Sequence, residues 1–277
     1  MRKSFFLLGK WTVSLALLCA AVAHAGEVQV DRGGYRLHAD AQGEGPLAVV
    51  FESGFGQGPD VWKGVIAELG TQCRCVAYAR AGLGKSGTDD KPKSIESHVE
   101  DLGAVIDTFA PGTKVVLVGH SYGGLVATTY ARKHPERLQG LVLVDPATLG
   151  QRHAFKAADR KRVEADDAAL LGMLPPKMAE DYKALVAQLD AESALASQEE
   201  PDLPVALLTS TRVAAEPFVF EETAQGKSLW KRQHAALFAG YSRGTHRYFA
   251  TGHNLHREDP KAVADAVRGV ANLATGN

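Results

Sequence analysis

Four short runs of mostly apolar residues, at 47–51, 75–78, 114–118 and 141–144, set the architecture. A strand with one wet face alternates apolar and polar residues, whereas an unbroken run fits a strand covered on both faces. Between the runs lie stretches of helical spacing at 61–69, 95–109 and 125–132, with Ser94 placed as an N-cap for the second. Strands alternating with helices imply a mostly parallel sheet covered by helices on both faces, because each crossover carries the chain back over the sheet. The rhythm returns later, with strands at 205–208 and 246–250 and helices at 230–238 and 262–273. A short hairpin, 28–30 and 35–39, precedes it and turns at Arg32-Gly33-Gly34. The fold class is therefore α/β.

Residues 147–203 interrupt the alternation. The segment holds seven Lys or Arg and eleven Asp or Glu, and no strand-like run. Its apolar residues, among them Leu170, Leu171, Met173, Leu174, Leu185 and Leu189, recur at helical spacing. It reads as a small helical insertion in a core built from 26–146 and 204–277. Phe155, Leu170, Met173 and Leu174 are its apolar candidates for lining a pocket.

The first 25 residues read as a leader rather than as fold. Arg2 and Lys3 begin it, an apolar run follows from Trp11 to Ala23, and Ala23-His24-Ala25 forms a small-x-small exit before Gly26. That order is a secretory signal peptide, and the run is shorter than the roughly 20 residues that span a bilayer. The mature chain is then expected to be periplasmic or secreted, with no stable membrane insertion. Loss of three basic residues moves its net charge from −1 to −4. A chain of that charge lacks the basic face of a nucleic-acid binder, and 45% apolar residues exclude wholesale disorder. Of three cysteines, Cys73 and Cys75 remain; two apart in a strand, they share a face and read as buried thiols.

The chemistry concentrates at Gly119-His120-Ser121-Tyr122-Gly123-Gly124, which follows the third run and opens a helix. This is G-x-S-x-G in the strand–turn–helix setting that gives it meaning. A sharp turn of that kind strains the serine backbone and leaves room only for small residues two positions either side. It also lifts the hydroxyl to the helix N-terminus, where free N–H groups favour a developing oxyanion. A serine nucleophile needs a base, and the base an orienting acid. His253 directly follows the last strand, at the sheet edge where strand C-termini gather. His256, three residues on, competes with it, and His120 lies inside the turn itself. Asp145 ends the fourth run, one strand beyond the serine. The other slot for an acid, after the strand at 205–208, reads Thr209-Ser210-Thr211-Arg212, so Glu216, Glu221 and Glu222 are the alternatives there.

These pieces together resemble the α/β-hydrolase superfamily, which includes carboxylesterases, lipases and other small-molecule hydrolases. The resemblance spans roughly residues 35–275. It rests on Glu52-Ser53-Gly54-Phe55-Gly56, Arg80-Ala81-Gly82-Leu83-Gly84-Lys85-Ser86, the serine turn, Leu141-Val142-Leu143-Val144-Asp145-Pro146 and Gly252-His253. It implies a helical cap at 147–203 and an oxyanion hole from the backbone N–H groups of Phe55 and Tyr122. It further implies cleavage of a small-molecule acyl substrate, an ester first, through Ser121, His253 and Asp145. Amide cleavage, acyl transfer and C–C lysis use the same triad, and a non-catalytic binding protein is the more distant alternative. Two positions depart from the pattern: Ser53-Gly54 stands where His-Gly is common, and Ala79 where an aspartate often precedes Arg80. Ser121 speaks against dehalogenase and epoxide-hydrolase chemistry, which need a carboxylate at that position. No histidine–carboxylate spacing for a metal and no phosphate-binding lysine motif occurs, so neither metal nor organic cofactor is expected.

Overall fold

The computed structural model describes residues 26–89, 91–191 and 199–276; the leader read at 1–25 lies outside them. Eight strands form one sheet: β1 (Gly26–Asp31), β2 (Arg36–Gln42), β3 (Leu47–Glu52), β4 (Cys73–Tyr78), β5 (Val115–His120), β6 (Leu138–Val144), β7 (Pro204–Ser210) and β8 (Arg243–Phe249). Their order is β1-β2-β4-β3-β5-β6-β7-β8. β1 and β2 pair antiparallel as the opening hairpin, and β2 joins β4 antiparallel. Every pair from β4 to β8 is parallel.

The helices α1 (Lys63–Leu69), α2 (Ile95–Phe109), α3 (Tyr122–Lys133), α6 (Ala224–Phe238), α7 (Leu255–Glu258) and α8 (Pro260–Thr275) alternate with these strands. The two-residue period of a strand sorts its side chains between two cores. Val50, Leu117, Leu141 and Leu143 pack with Val99, Leu102 and Ile106 of α2 and with Leu125 and Val126 of α3. Val49, Phe51, Val118 and Val144 pack on the other face with Val65 and Leu69 of α1 and Val263 and Val267 of α8. Each such side chain, once buried, contributes about 1.5–3 kcal/mol. The unbroken apolar runs are thus explained by two covered faces. Cys73 and Cys75 lie together in the second core as free thiols. Ser94 caps α2 reciprocally with Ser97.

Between β6 and β7 the chain runs through α4 (Gln151–Met173) and α5 (Pro176–Asp190). α4 is broken at Asp159, whose carboxylate then accepts the Arg162 N–H and restarts the helix. Buried Arg152 ties the pair together: its guanidinium grips Asp167 through two hydrogen bonds and also bonds Asp190. Phe155 and Val163 of α4 pack on Phe220 and on Trp230 of α6, which fastens this segment to the core. One expectation is corrected here. Met173 is 69% exposed at the end of α4 and does not line the cleft above Ser121, because the buried residues of that helix end at Val163 and its last turn runs beyond its packing partners.

Candidate active site

The turn at Ser121 is as tight as its glycines imply. Ser121 has φ 52°, a left-handed conformation that strains any residue with a side chain. A Cβ at Gly119 would lie 2.6 Å from the Gly123 carbonyl oxygen, and one at Gly123 would lie 2.3 Å from the Glu52 carbonyl oxygen. A Cβ at Gly124 would meet Pro146 at 2.5 Å. Three glycines therefore let the end of β5, the start of α3 and the loops after β3 and β6 close on one another. The Ser121 N–H bonds Val144 O and the Ala147 N–H bonds Ser121 O, so the serine turn is stitched to the end of β6. Its hydroxyl makes no hydrogen bond among the described residues; catalytic contacts of this kind commonly tighten only on substrate.

Asp145 continues β6 and is the second non-glycine residue with positive φ among the described residues, at 45°. Fully buried, its carboxylate accepts four hydrogen bonds. Oδ1 takes the Ser210 N–H at 2.7 Å and Trp230 Nε1 at 2.8 Å. Oδ2 takes the Ser210 hydroxyl at 2.6 Å and His253 Nδ1 at 2.7 Å. Burial alone would raise the Asp145 pKa, but the hydrogen bond and charge of His253, with His234 and Lys227, outweigh it and hold the carboxyl below its ordinary value.

The alternatives for the acid fall into place around this pair. Glu221 stands 3.9 Å from His253 Nδ1, too far for a hydrogen bond, and its Oε1 is held by Lys227 Nζ at 2.6 Å. Glu222 accepts the Phe218 N–H, and Glu216 is exposed. His256 is buried, with neither ring nitrogen hydrogen-bonded among the described residues, between the rings of Trp62 at 4.9 Å and His120 at 4.2 Å. His120 instead supports the turn. Its Nε2 bonds the His253 carbonyl at 2.9 Å and its Nδ1 lies 3.1 Å from Gln57 Oε1. Gln57 also accepts the Gly54 N–H and donates to Asn254, so one network joins the loop after β3, the serine turn and the histidine loop.

Burial would lower the His253 pKa. The charge of Glu221, then the hydrogen bond and charge of Asp145, reverse this and push it up to about 9. His120, by contrast, is held well below the usual range by burial and by the neighbouring charges of His253 and His256. The carboxylates of Asp145 and Glu221 and the His253 ring bring ligating atoms within 4.8 Å of one another. That cluster is already paired internally, through the His253–Asp145 bond and the Lys227 ammonium on Glu221.

Ser121, Tyr122 and Phe55 all face a cleft of about 240 Å³, roofed by Phe155 and Leu170 of α4 and by Tyr182 and Leu185 of α5. Phe155 and Leu170 thus lie where a pocket lining was expected; Leu174 is not among the lining residues. The charges on the cleft wall are compensated: Asp166 by Arg162, Asp167 by Arg152 and Glu221 by Lys227. The N–H groups of Phe55 and Tyr122 make no hydrogen bond to described residues, as expected for Tyr122 at the first turn of a helix. Ser53, standing where a histidine is common, turns away from the cleft. It accepts from Trp62 Nε1 at 3.0 Å and donates to the Gly58 carbonyl. Sequence reasoning gave Arg80 and Glu52 no role of their own; the structure buries them as an ion pair against the Ser53 and Gly54 carbonyls. A glutamate ending an otherwise apolar strand was the available signal.

A parallel sheet with a strained serine at the C-terminal edge of β5, under two helices inserted after β6, defines the α/β-hydrolase fold. The chain belongs to the alpha/beta hydrolase family, whose model matches residues 49–266. It is similar to the uncharacterised protein YqjL of Bacillus subtilis (strain 168), with 25% identity over 236 residues, 82% of this chain and 84% of that one. A shorter likeness, 33% over 104 residues, links it to a (lyso)-N-acylphosphatidylethanolamine lipase of Bos taurus; it covers 36% of this chain and 30% of the relative. Among solved structures, a thermophilic esterase from Thermogutta terrifontis superposes with TM-score 0.63 at 20% identity, covering 90% of this chain and 99% of that one. Epoxide hydrolase VrEH1 from Vigna radiata does so with TM-score 0.65 at 16% identity, covering 87% and 96%.

Proposed function

We propose that the protein is an exported serine hydrolase that cleaves a carboxylic ester of a small molecule. Ser121 is the nucleophile, His253 the general base and Asp145 the acid that holds the imidazole. The observation that carries this reading is the 2.7 Å bond from His253 Nδ1 to a fully buried, four-times-bonded Asp145, beside a strained Ser121 that opens on the cleft. The Asp145 bond to Nδ1 leaves His253 Nε2 as the nitrogen for the serine proton. Attack forms the Ser121 Oγ–carbon bond as that proton moves to Nε2. Collapse of the tetrahedral intermediate expels the alcohol, which takes the proton back, and water releases the acid by the same two steps. The backbone N–H groups of Phe55 and Tyr122 receive the oxyanion. The esterase among the structural neighbours fits this reading, while Ser121 fits poorly with the carboxylate nucleophile of epoxide hydrolysis. Export rests on the leader sequence alone; no described helix is long and apolar enough to cross a membrane.

The test is fluorophosphonate labelling of residues 26–277 beside Ser121→Ala, with p-nitrophenyl esters of increasing chain length assayed in parallel. Labelling and turnover that both vanish in the variant are expected. A folded wild-type protein that neither labels nor turns over any ester refutes the reading, as does a variant that retains wild-type activity.

A further inference from the structure

The loop that carries Phe55 is glycine-rich, and its peptides must be held if one of them is to present an N–H to the cleft. Gly54 and Gly56 are free to rotate, and Gly56 sits at φ 69°. Two contacts hold it: the Gln57 N–H closes a turn on the Gly54 carbonyl at 3.1 Å, and a buried cation lies beneath the loop. Arg80, 3% exposed, donates from Nη1 to the Ser53 carbonyl and from Nη2 to the Gly54 carbonyl, the latter at 2.5 Å. The same Nη1 bonds Glu52 Oε1 at 2.6 Å, and Tyr78 donates its hydroxyl to Glu52 Oε2. Glu52 is fully buried, and these are its side-chain hydrogen-bond partners among the described residues.

Peptide geometry converts these contacts into an orientation. A trans peptide is planar, with C=O and N–H pointing to opposite sides, and none of the described peptides is cis. With the Ser53 carbonyl on Arg80, the Gly54 N–H points away from it, and it meets Gln57 Oε1 at 3.2 Å. With the Gly54 carbonyl on Arg80, the Phe55 N–H likewise points away from Arg80, and Phe55 lines the cleft. A flipped Gly54–Phe55 peptide would put a carbonyl oxygen where an oxyanion must sit. We propose that Arg80, neutralised by Glu52, is the positioning residue that keeps this peptide from flipping and so holds one half of the oxyanion hole. This inference rests on the serine-hydrolase reading. Arginine suits the task because its planar fork bonds two carbonyls and a carboxylate at once, whereas lysine is a point charge. Its guanidinium also lies 5.2 Å from the ring of Tyr122, the residue that supplies the other donor. One buried side chain thus touches both sides of the hole without entering the cleft.

The experiment compares Arg80→Lys and the double variant Arg80→Met with Glu52→Gln, which leaves no uncompensated buried charge. Thermal unfolding establishes that each is folded. Ester kinetics and inhibition by a trifluoromethyl ketone, which places an oxyanion in the hole, are then measured for both. Expected in both is a fall in kcat on the order of 10²-fold, as for loss of one oxyanion donor. KM should stay within about threefold, and the ketone should weaken in parallel with kcat. Slow fluorophosphonate labelling should still reach completion at Ser121. A merely structural role would not tie ketone affinity to kcat in this way. The proposal is overturned if either folded variant keeps kcat within about threefold of wild type, if the loss lies in KM, or if ketone inhibition is unchanged. Failure of the underlying reading looks different: the wild-type protein itself neither labels nor turns over, and both proposals then fall.

Discussion

Replacing Glu221 with glutamine is expected to raise activity at neutral pH. His253 is faced by Asp145 from the end of β6, by Glu221 before α6, by Lys227 on α6, and by the rings of Trp230, His120 and His256. The Glu221 carboxylate lies 3.9 Å from Nδ1. At an effective dielectric of about 20, a unit charge at that distance stabilises imidazolium by about 4 kcal/mol. Lys227, 2.6 Å from the same oxygen, opposes most of this. If a quarter to a half survives, the net effect is about 1–2 kcal/mol, or roughly one pKa unit. With a wild-type pKa of about 9, about 1% of His253 is neutral at pH 7; a fall of one unit makes that about 10%. Thus kcat/KM at pH 7 should rise about tenfold in Glu221→Gln, while the alkaline plateau stays in place. The assay is a pH–rate profile from pH 6 to 10.5 on a short-chain ester, with spontaneous hydrolysis subtracted. A wild-type profile already flat between pH 7 and 9, or an inflection that stays or moves upward in the variant, refutes the electrostatic argument.

Two further outcomes follow from packing. Gly123→Ala would place a Cβ 2.3 Å from one carbonyl oxygen and 2.4 Å from the next, so α3 must shift away from β3. Ester turnover should fall at least tenfold, with about 1–3 kcal/mol lost from stability, read by kinetics and denaturant unfolding. His256→Phe should raise stability by about 1–3 kcal/mol, because it removes two buried, unbonded ring nitrogens, and leave turnover within about threefold. Burial first, then the charges of Arg257 and His253, push His256 down to about 3. Its unfolded pKa is about 6.5, so its contribution is present above that value and is lost as pH falls towards 3. Melting curves of the variant should therefore be less acid-sensitive between these limits.

The core was legible because central parallel strands must be apolar on both sides, and β3 through β7 carry that pattern nearly end to end. The serine turn was legible because sterics demand its glycines. β8 was seen only from His246 onward: Arg243, Gly244 and Thr245 lie on an exposed edge strand, where no covering helix imposes apolar side chains. The choice between Asp145 and Glu221 was not legible, since both follow strands that end at the same edge. The proposal of Asp145 rests on where the Ser210 N–H and Trp230 Nε1 point, which depends on the pairing of β6 with β7 and the packing of α6. Arg80 was visible as part of a glycine-rich loop, but its partners Ser53 and Gly54 are brought to it only by the β3–β4 pairing. Met173 was misplaced because helical spacing defines an apolar face without stating which end of that face runs out of neighbours.

The strained backbones of Ser121 and Asp145 bear on how this protein can be improved. Glycine would occupy either position with less conformational penalty, so a screen for heat tolerance alone rewards the removal of the side chains proposed to do the chemistry. Stabilising changes are better sought at the exposed edge strand or on the outer faces of α4 and α5, away from the two turns. Those turns keep their energetic handicap for as long as the protein keeps its serine and its aspartate.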